Sequence, residues 1–184
     1  MLKLYGGARS RASIVQWYLE ELSIPYEFVL LDMAAGEHQK PDYLAINPIG
    51  KVPALVDGDF KLWESGAILL YLAEKYCKPG VSFEERSVWS QWVLFANSTL
   101  ATGLFVEASR EKEVPKLLTA LSEILNKNPY ILGSEFTVVD VAVGSILAYV
   151  PMMLPIDLSP YPTILEYIKR MNERAAFKNS IGKR

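Results

Sequence analysis

The stretch "NPIGKVPALVDGDFKLWES", Asn47 to Ser65, carries a turn, two short strands and the start of a helix in one unbroken run. Asn47-Pro48 and Gly50 mark the turn, and Val52-Pro53 stands at the mouth of the first of these strands. Ala54 to Val56 and Phe60 to Trp63 are apolar runs joined through Asp57-Gly58, a tight-hairpin signal. From Ser65 to Cys77 the apolar residues Ile68, Leu69, Leu72, Ala73 and Tyr76 recur at helical spacing. Working upstream, Met1 to Tyr5 alternates as a strand, and Gly6-Gly7 ends it. Ser10 to Leu22 is helical, with Pro25 closing it, and Tyr26 to Leu31 reads as a second strand. Residues 32 to 50 form a long polar connection with one helical turn around Asp42 to Ala45, and loops of that length tend to be functional. The order is strand, helix, strand, then a hairpin and a helix.

Working downstream, the composition changes at Lys78-Pro79-Gly80. No alternating strand pattern appears beyond it. Ser82 and Glu85 have capping-box spacing, and Trp89, Trp92, Phe95, Ala96 and Leu100 continue that helix along one face. Further helices are expected from near Pro115, from Thr137 to before Pro151, and from about Pro162. The chain therefore reads as an α/β unit over residues 1–77, a linker over 78–82 and an all-α unit over 83–184. A 77-residue unit alone buries only about 60% of its unfolded surface, so a shared apolar interface between the units is expected.

Composition removes several function classes. With 184 residues, 51% hydrophobic and 22% charged, and a net charge of −2, the chain is an ordinary globular protein. No basic run points to nucleic acid or an anionic membrane. The longest uncharged stretch, Val141 to Ile156, has 16 residues interrupted by glycine and proline, short of the ~20 that span a bilayer. The first residues enter a strand pattern without a leader, so a cytoplasmic protein is expected. One cysteine, Cys77, excludes an internal disulfide or a CxxC pair and is expected to be buried and inert. "GGARS" lacks the GK[ST] ending of a phosphate loop and does not match GxGxxG.

Three places can carry chemistry. Val52-Pro53 at a strand mouth is compatible with a cis peptide, which exposes a backbone N–H and C=O to an extended ligand; a rigid loop feeding an edge strand has the same pattern. Glu64-Ser65 opens a helix, whose unpaired N–H groups favour a carboxylate, while Glu64 suits an ammonium group. Together they fit the end of a γ-glutamyl or free amino-acid ligand, although Ser65 is equally readable as a simple cap. His38, the single histidine, lies in a polar loop where solvated bystanders are common; with Lys40 and Lys51 it offers positive charge to a second carboxylate. An extended zwitterionic peptide is the ligand this suggests.

The order of elements, with "GEHQKPDYLAINPIGKVPALVDGDFKLWESGAILLYLAEKY" over residues 36–76 and "FTVVDVAVG" over 136–144, resembles cytosolic glutathione transferases of the theta, delta and beta types. The resemblance implies a thioredoxin-like first domain and an all-helical second domain lining the electrophile site. It implies that Val52, before a cis Pro53, pairs through its backbone with the cysteinyl unit of glutathione. Glu64 and Ser65 hold the γ-glutamyl end, and His38 and Lys51 face the glycyl carboxylate. Some related classes carry an imidazole where this chain has Gly50, so a looser hold on the glycyl end is expected. A homodimer is implied, glutathione is a co-substrate, and no separate cofactor or metal is expected.

The thiol needs activation, because a free thiol near pKa 8.5 is only about 3% ionised at pH 7 and the thiolate is the nucleophile. Serine-using classes place a hydroxyl just after the first strand with a small residue three positions on. Ser10 and Ser13 match that spacing, so Ser10 is the first candidate. Arg11 is its rival: three and four residues before Ile14 and Val15, it is read as continuing the buried stripe. Tyr5 reads as a core aromatic, and Arg9 and Ser13 as solvated or capping residues. The expected reaction is attack of the glutathione thiolate on a small apolar electrophile such as an isothiocyanate or aryl halide. An open pocket near Phe95, Asn97, Leu100 or Leu104 is expected to hold it. A non-catalytic binding protein of the same fold is the alternative; thiol exchange would want a cysteine near Ser10.

Overall fold

A computed structural model describes residues 1–77 and 80–183 of the chain. Residues 78 and 79 of the expected linker lie outside the described residues. The chain divides into two compact units, Met1–Gly80 with Asn179–Arg184, and Val81–Lys178. The terminal residues from Asn179 thus group with the first unit, whereas the sequence reading assigned them to the second.

The first unit is built on four strands, β1 (Leu2–Gly6), β2 (Tyr26–Leu30), β3 (Ala54–Asp57) and β4 (Phe60–Trp63), in the order β2-β1-β3-β4. β1 and β2 are parallel, and β1, β3 and β4 run antiparallel in turn. Three helices complete it, α1 (Ala12–Glu21), α2 (Pro41–Leu44) and α3 (Ser65–Leu72), with a 3-10 turn at Glu37–Gln39 before α2. Leu2 and Leu4 point from β1 into a core closed by Ile14, Leu55 and Ile68, which is what the alternation in "MLKLY" requires.

Two details of α1 position the loop before it. Gly6 approaches the helix so closely that a Cβ there would lie 2.3 Å from Ala12 Cβ. Because that neighbour is a short side chain fixed on a helix, Gly6→Ala is expected to cost about 1–3 kcal/mol, read as a lower urea midpoint. The helix ends at Glu21 with Leu22 as its cap, where the spacing through Leu22 implies; Ser23 beyond it takes φ 54° while Ile24 N–H donates to Leu19 O at 3.0 Å. That is the left-handed terminator usually given to glycine.

The second unit comprises α4 (Phe83–Leu94), α5 (Ala101–Phe105), α6 (Glu107–Leu125), α7 (Val138–Met153), α8 (Pro162–Glu173) and the short α9 (Ala175–Asn179) leading out of it. The Ser82–Glu85 capping box is formed, each partner closing the other's free N–H. A wider π-type turn over Phe95–Leu100 separates α4 from α5, where apolar spacing alone implied one helix. α6 begins eight residues before Pro115, which lies inside it on the exposed side. Its first turns, "EASREKE", are good helix formers with no apolar stripe, so periodicity could not register them. Every residue of α7 from Val138 to Val150 is buried, as expected of a helix apolar on all sides. Among the described residues no helix is long and apolar enough to cross a membrane.

Candidate functional site

The sheet register gathers the candidate residues. Tyr5 on β1 pairs with Ala54 on β3, and Ala54 pairs with Trp63 on β4. One residue beyond each, the loop after Gly6, the residue Pro53 and the residue Glu64 therefore emerge at the same end of the sheet. The Val52-Pro53 peptide is cis; Val52 is half-buried and Pro53 buried.

Glu64 takes φ 74°, ψ 121°, outside the regions comfortable for a residue with a Cβ, and is exposed. Such a conformation costs on the order of 1–3 kcal/mol and concentrates at functional sites. Directly after it, Ser65 is the first residue of α3 and only 2% exposed. A carboxylate thus stands outside the positive end of a helix whose first hydroxyl faces inward.

The connection before Pro53 is held by side chains that sequence reasoning did not single out. Tyr43 Oη donates to Lys51 O at 2.5 Å, and Asn47 Nδ2 donates to the same oxygen at 2.7 Å. Asn47 Oδ1 accepts from Ile49 N at 3.0 Å, and Asn47 is 2% exposed. Burial raises the Tyr43 hydroxyl to about 12, so it remains a donor at any ordinary pH. The sequence signal for Asn47 is an Asn-Pro turn, which marks a bend and carries no sign of the bond to Lys51. These bonds fix the peptide carbonyl of Lys51, whose own side chain is exposed.

His38 sits in the 3-10 turn rather than free in solvent: it is half-buried, and its Nδ1 is shielded with no partner among the described residues. Its neighbour Gln39 donates through Nε2 to Gly50 O at 2.9 Å. Gly50 has φ 65°, and a Cβ on it would come 2.5 Å from that Gln39 nitrogen. Gln39 therefore occupies the space beside Gly50 and ties the His38 turn to the Pro53 loop. Gly50→Ala is expected to lose about 1–2 kcal/mol, from the left-handed backbone and the displaced amide, measured by thermal melting.

In the loop after β1, Ser10 Oγ accepts from Gly7 N at 3.2 Å and Ala12 N at 3.3 Å and donates to Gly7 O at 3.0 Å. Ser10 rather than Arg11 thus serves the first free N–H of α1, and Arg11, at the cap position, uses no side-chain bond for that purpose. The inference that Arg11 continues the buried stripe is corrected: Arg11 is exposed. Its backbone precedes the helix, so the 3.6-residue spacing does not extend to it. A guanidinium at a helix N-terminus is disfavoured by about 0.3–1 kcal/mol unless an anion lies between them. Ser13, expected at the surface or as a cap, is 7% exposed and donates to Ser10 O at 3.0 Å. Tyr5 is half-buried against Tyr43, with ring centroids 5.9 Å apart. Cys77 is exposed, not buried.

A parallel strand-helix-strand half joined to an antiparallel hairpin and helix, with a cis proline opening the third strand, is a thioredoxin-like unit, and an all-helical unit comes after it. Residues 1–74 match the family described as glutathione S-transferase, N-terminal domain, and residues 88–184 match glutathione S-transferase, C-terminal domain. The glutathione S-transferase hmp2 of Hypomyces subiculosus is 33% identical over 76% of this chain and 78% of its own. Glutathione S-transferase 3 of Zea mays is 34% identical over 76% and 73%. Among solved structures, the glutathione transferase URE2P6 of Phanerochaete chrysosporium, in complex with oxidized glutathione, superposes with a TM-score of 0.81 at 29% identity, covering 99% of this chain and 95% of that one. A theta class enzyme of Xanthomonas axonopodis pv. citri with glutathione bound gives a TM-score of 0.80 at 28% identity, with 98% and 96% covered. The chain belongs to the glutathione S-transferase family and is a glutathione transferase enzyme.

Proposed function

We propose that this enzyme binds glutathione along the end of the sheet and transfers its thiolate to small apolar electrophiles, of which isothiocyanates and aryl halides are representative, in a detoxifying role. The observation that carries the reading is the register that brings the Gly7–Arg11 loop, Pro53 and Glu64-Ser65 to one sheet end. Glutathione is extended and carries an α-amino acid at one end and a carboxylate at the other. The γ-glutamyl carboxylate lies at the first turn of α3, with Ser65 contributing a hydroxyl and Glu64 accepting from the ammonium. The Val52 backbone pairs with the cysteinyl unit, Pro53 setting its direction. His38 and Lys51 take the glycyl carboxylate.

The cysteinyl sulfur then reaches the loop of Ser10 and Arg11. Ser10 turns its proton from Gly7 O to the sulfur, exchanging a neutral bond worth about 0.5–1.5 kcal/mol for a charged one of about 1.5–3 kcal/mol. The net gain is near 1 kcal/mol, under one pKa unit. Arg11 supplies the larger share, since a guanidinium about 4 Å from the sulfur contributes roughly 4 kcal/mol at an effective dielectric of 20, before desolvation. Placed between Arg11 and the helix N-terminus, the thiolate also relieves the repulsion between those two positive charges. The enzyme acts in the cytoplasm as a homodimer, with glutathione as co-substrate and no other cofactor.

Glu64→Gly separates function from stability. Removing the Cβ relieves the backbone strain of about 1–3 kcal/mol against about 0.5–1 kcal/mol of added chain entropy, so the variant is expected to be more stable by about 1 kcal/mol. Loss of the ammonium partner is expected to weaken glutathione binding at least tenfold by calorimetry. Unchanged affinity would remove Glu64 from the site.

A further inference from the structure

We propose that the first unit carries a second, anion-selective binding site, sharing only the Gly7–Arg11 loop with the glutathione groove, that takes a small aromatic carboxylate. A cavity of about 390 Å³ is lined by Gly7, Ala8, Arg9, Ser13, Gln16 and Phe28, and is closed by Asn179, Ser180 and Lys183. All these residues belong to the first unit. It shares Gly7, Ala8 and Arg9 with the loop that meets the glutathione sulfur, but none of the residues assigned to the two ends of glutathione, from His38 through Lys51 and Pro53 to Ser65, lines it.

The lining has the chemistry of an anion site. It holds two cations, Arg9 and Lys183, and no carboxylate side chain among the described residues. Neither cation forms an ion pair among the described residues. Two like charges lining one cavity that has no acidic lining residue repel, and an anion between them removes that cost. The hydroxyls of Ser13 and Ser180, both under a tenth exposed, and the amides of Gln16 and Asn179 supply polar atoms around the same space. Phe28 contributes an apolar wall. An aryl group on Phe28 with its carboxylate toward Arg9 and Lys183 satisfies both halves of the lining, and the volume suits a ligand of that size.

The site is also consistent with the chain's irregularities. Ser13, read from sequence as a surface or capping residue, is buried and lines the cavity together with Ser180. Arg9, which is given no contact with glutathione, lines this cavity.

The test uses the full chain labelled with ¹⁵N and titrated with benzoate, with its neutral isostere benzamide, and with inorganic phosphate. Benzoate is expected to shift the amides of Gly7, Ala8, Ser13 and Ser180 saturably. Benzamide is expected to bind at least about tenfold more weakly, and Arg9→Gln with Lys183→Gln to weaken benzoate by a similar factor. Saturable phosphate binding at the same amides, as tight as benzoate, would make this a simple inorganic-anion site and overturn the aryl assignment. Benzoate shifts centred on Lys51 and Ser65, equal binding of benzamide, or an unchanged benzoate affinity in the double variant would each overturn the site. Because the readout is binding and not turnover, failure here leaves the assignment of Ser10 and Arg11 standing.

Discussion

Asp140→Ala is expected to destabilise the protein by about 3–5 kcal/mol, lowering the midpoint of thermal unfolding by roughly 10 °C or more. Asp140 lies in the first turn of α7 and is 0% exposed. Its carboxylate accepts from Ile131 N at 3.0 Å, Thr137 N at 2.9 Å, Thr137 Oγ1 at 3.2 Å and Tyr167 Oη at 2.9 Å. One side chain thus caps α7, pins the preceding loop and ties α8 to α7. Truncation leaves donors buried without partners, each costing about 1–3 kcal/mol. Urea unfolding followed through Trp89 and Trp92 fluorescence reads the loss; a change below about 1 kcal/mol would show that the loop and α8 are held by apolar packing alone.

The same residue predicts a pH dependence. Burial raises the Asp140 carboxyl above the ordinary carboxylate range, and the four donors only partly oppose this. Between the ordinary value and the raised one, the native state holds a proton that the unfolded state has released. Stability contributed by this group is therefore full below the ordinary carboxylate range and falls as pH rises through the native value. The difference in unfolding free energy between wild type and Asp140→Asn, followed upward from pH 3, is expected to shrink through that window.

The second large effect concerns the thiol. Arg11→Ala is expected to raise the pKa of bound glutathione by about two units, and Ser10→Ala by about one. Two units remove about 99% of the thiolate below the pKa, but a more basic thiolate is a better nucleophile, with a Brønsted slope near 0.4–0.5. Below the wild-type pKa the net fall in kcat/KM is then about tenfold for Arg11→Ala and about threefold for Ser10→Ala. Both ratios should narrow as pH rises and the variants ionise. A pH-independent loss in either variant would point to misplacement of the substrate instead.

Much of this was legible in the residues. Strand alternation, the Asp57-Gly58 turn and the capping spacing of Ser82 and Glu85 rest on local chemistry, and the corresponding elements formed. Glu64-Ser65 and Val52-Pro53 could be marked because a helix start and a strand mouth have short sequence signatures. What was not legible depends on where the chain folds back. Helical spacing extended beyond the first turn implies a buried face for Arg11, which lies at the cap position and is exposed. Ser13 lines a cavity with residues more than 160 positions away in the chain. The Gln39, Tyr43 and Asn47 bonds to Gly50 and Lys51 carry no pattern that a polar loop would display. The early start of α6 is invisible to apolar periodicity because its first turns bury almost nothing.

The central claim is that the loop of Ser10 and Arg11 lowers the thiol pKa of bound glutathione. The ultraviolet absorbance of the thiolate, titrated from pH 5 to 10 with saturating glutathione, measures it directly in wild type, Ser10→Ala and Arg11→Ala. The account predicts a wild-type midpoint at least two units below the free value of about 8.5, moved upward in both variants and further in Arg11→Ala. A wild-type midpoint at the free value, or one that neither substitution moves, would contradict it.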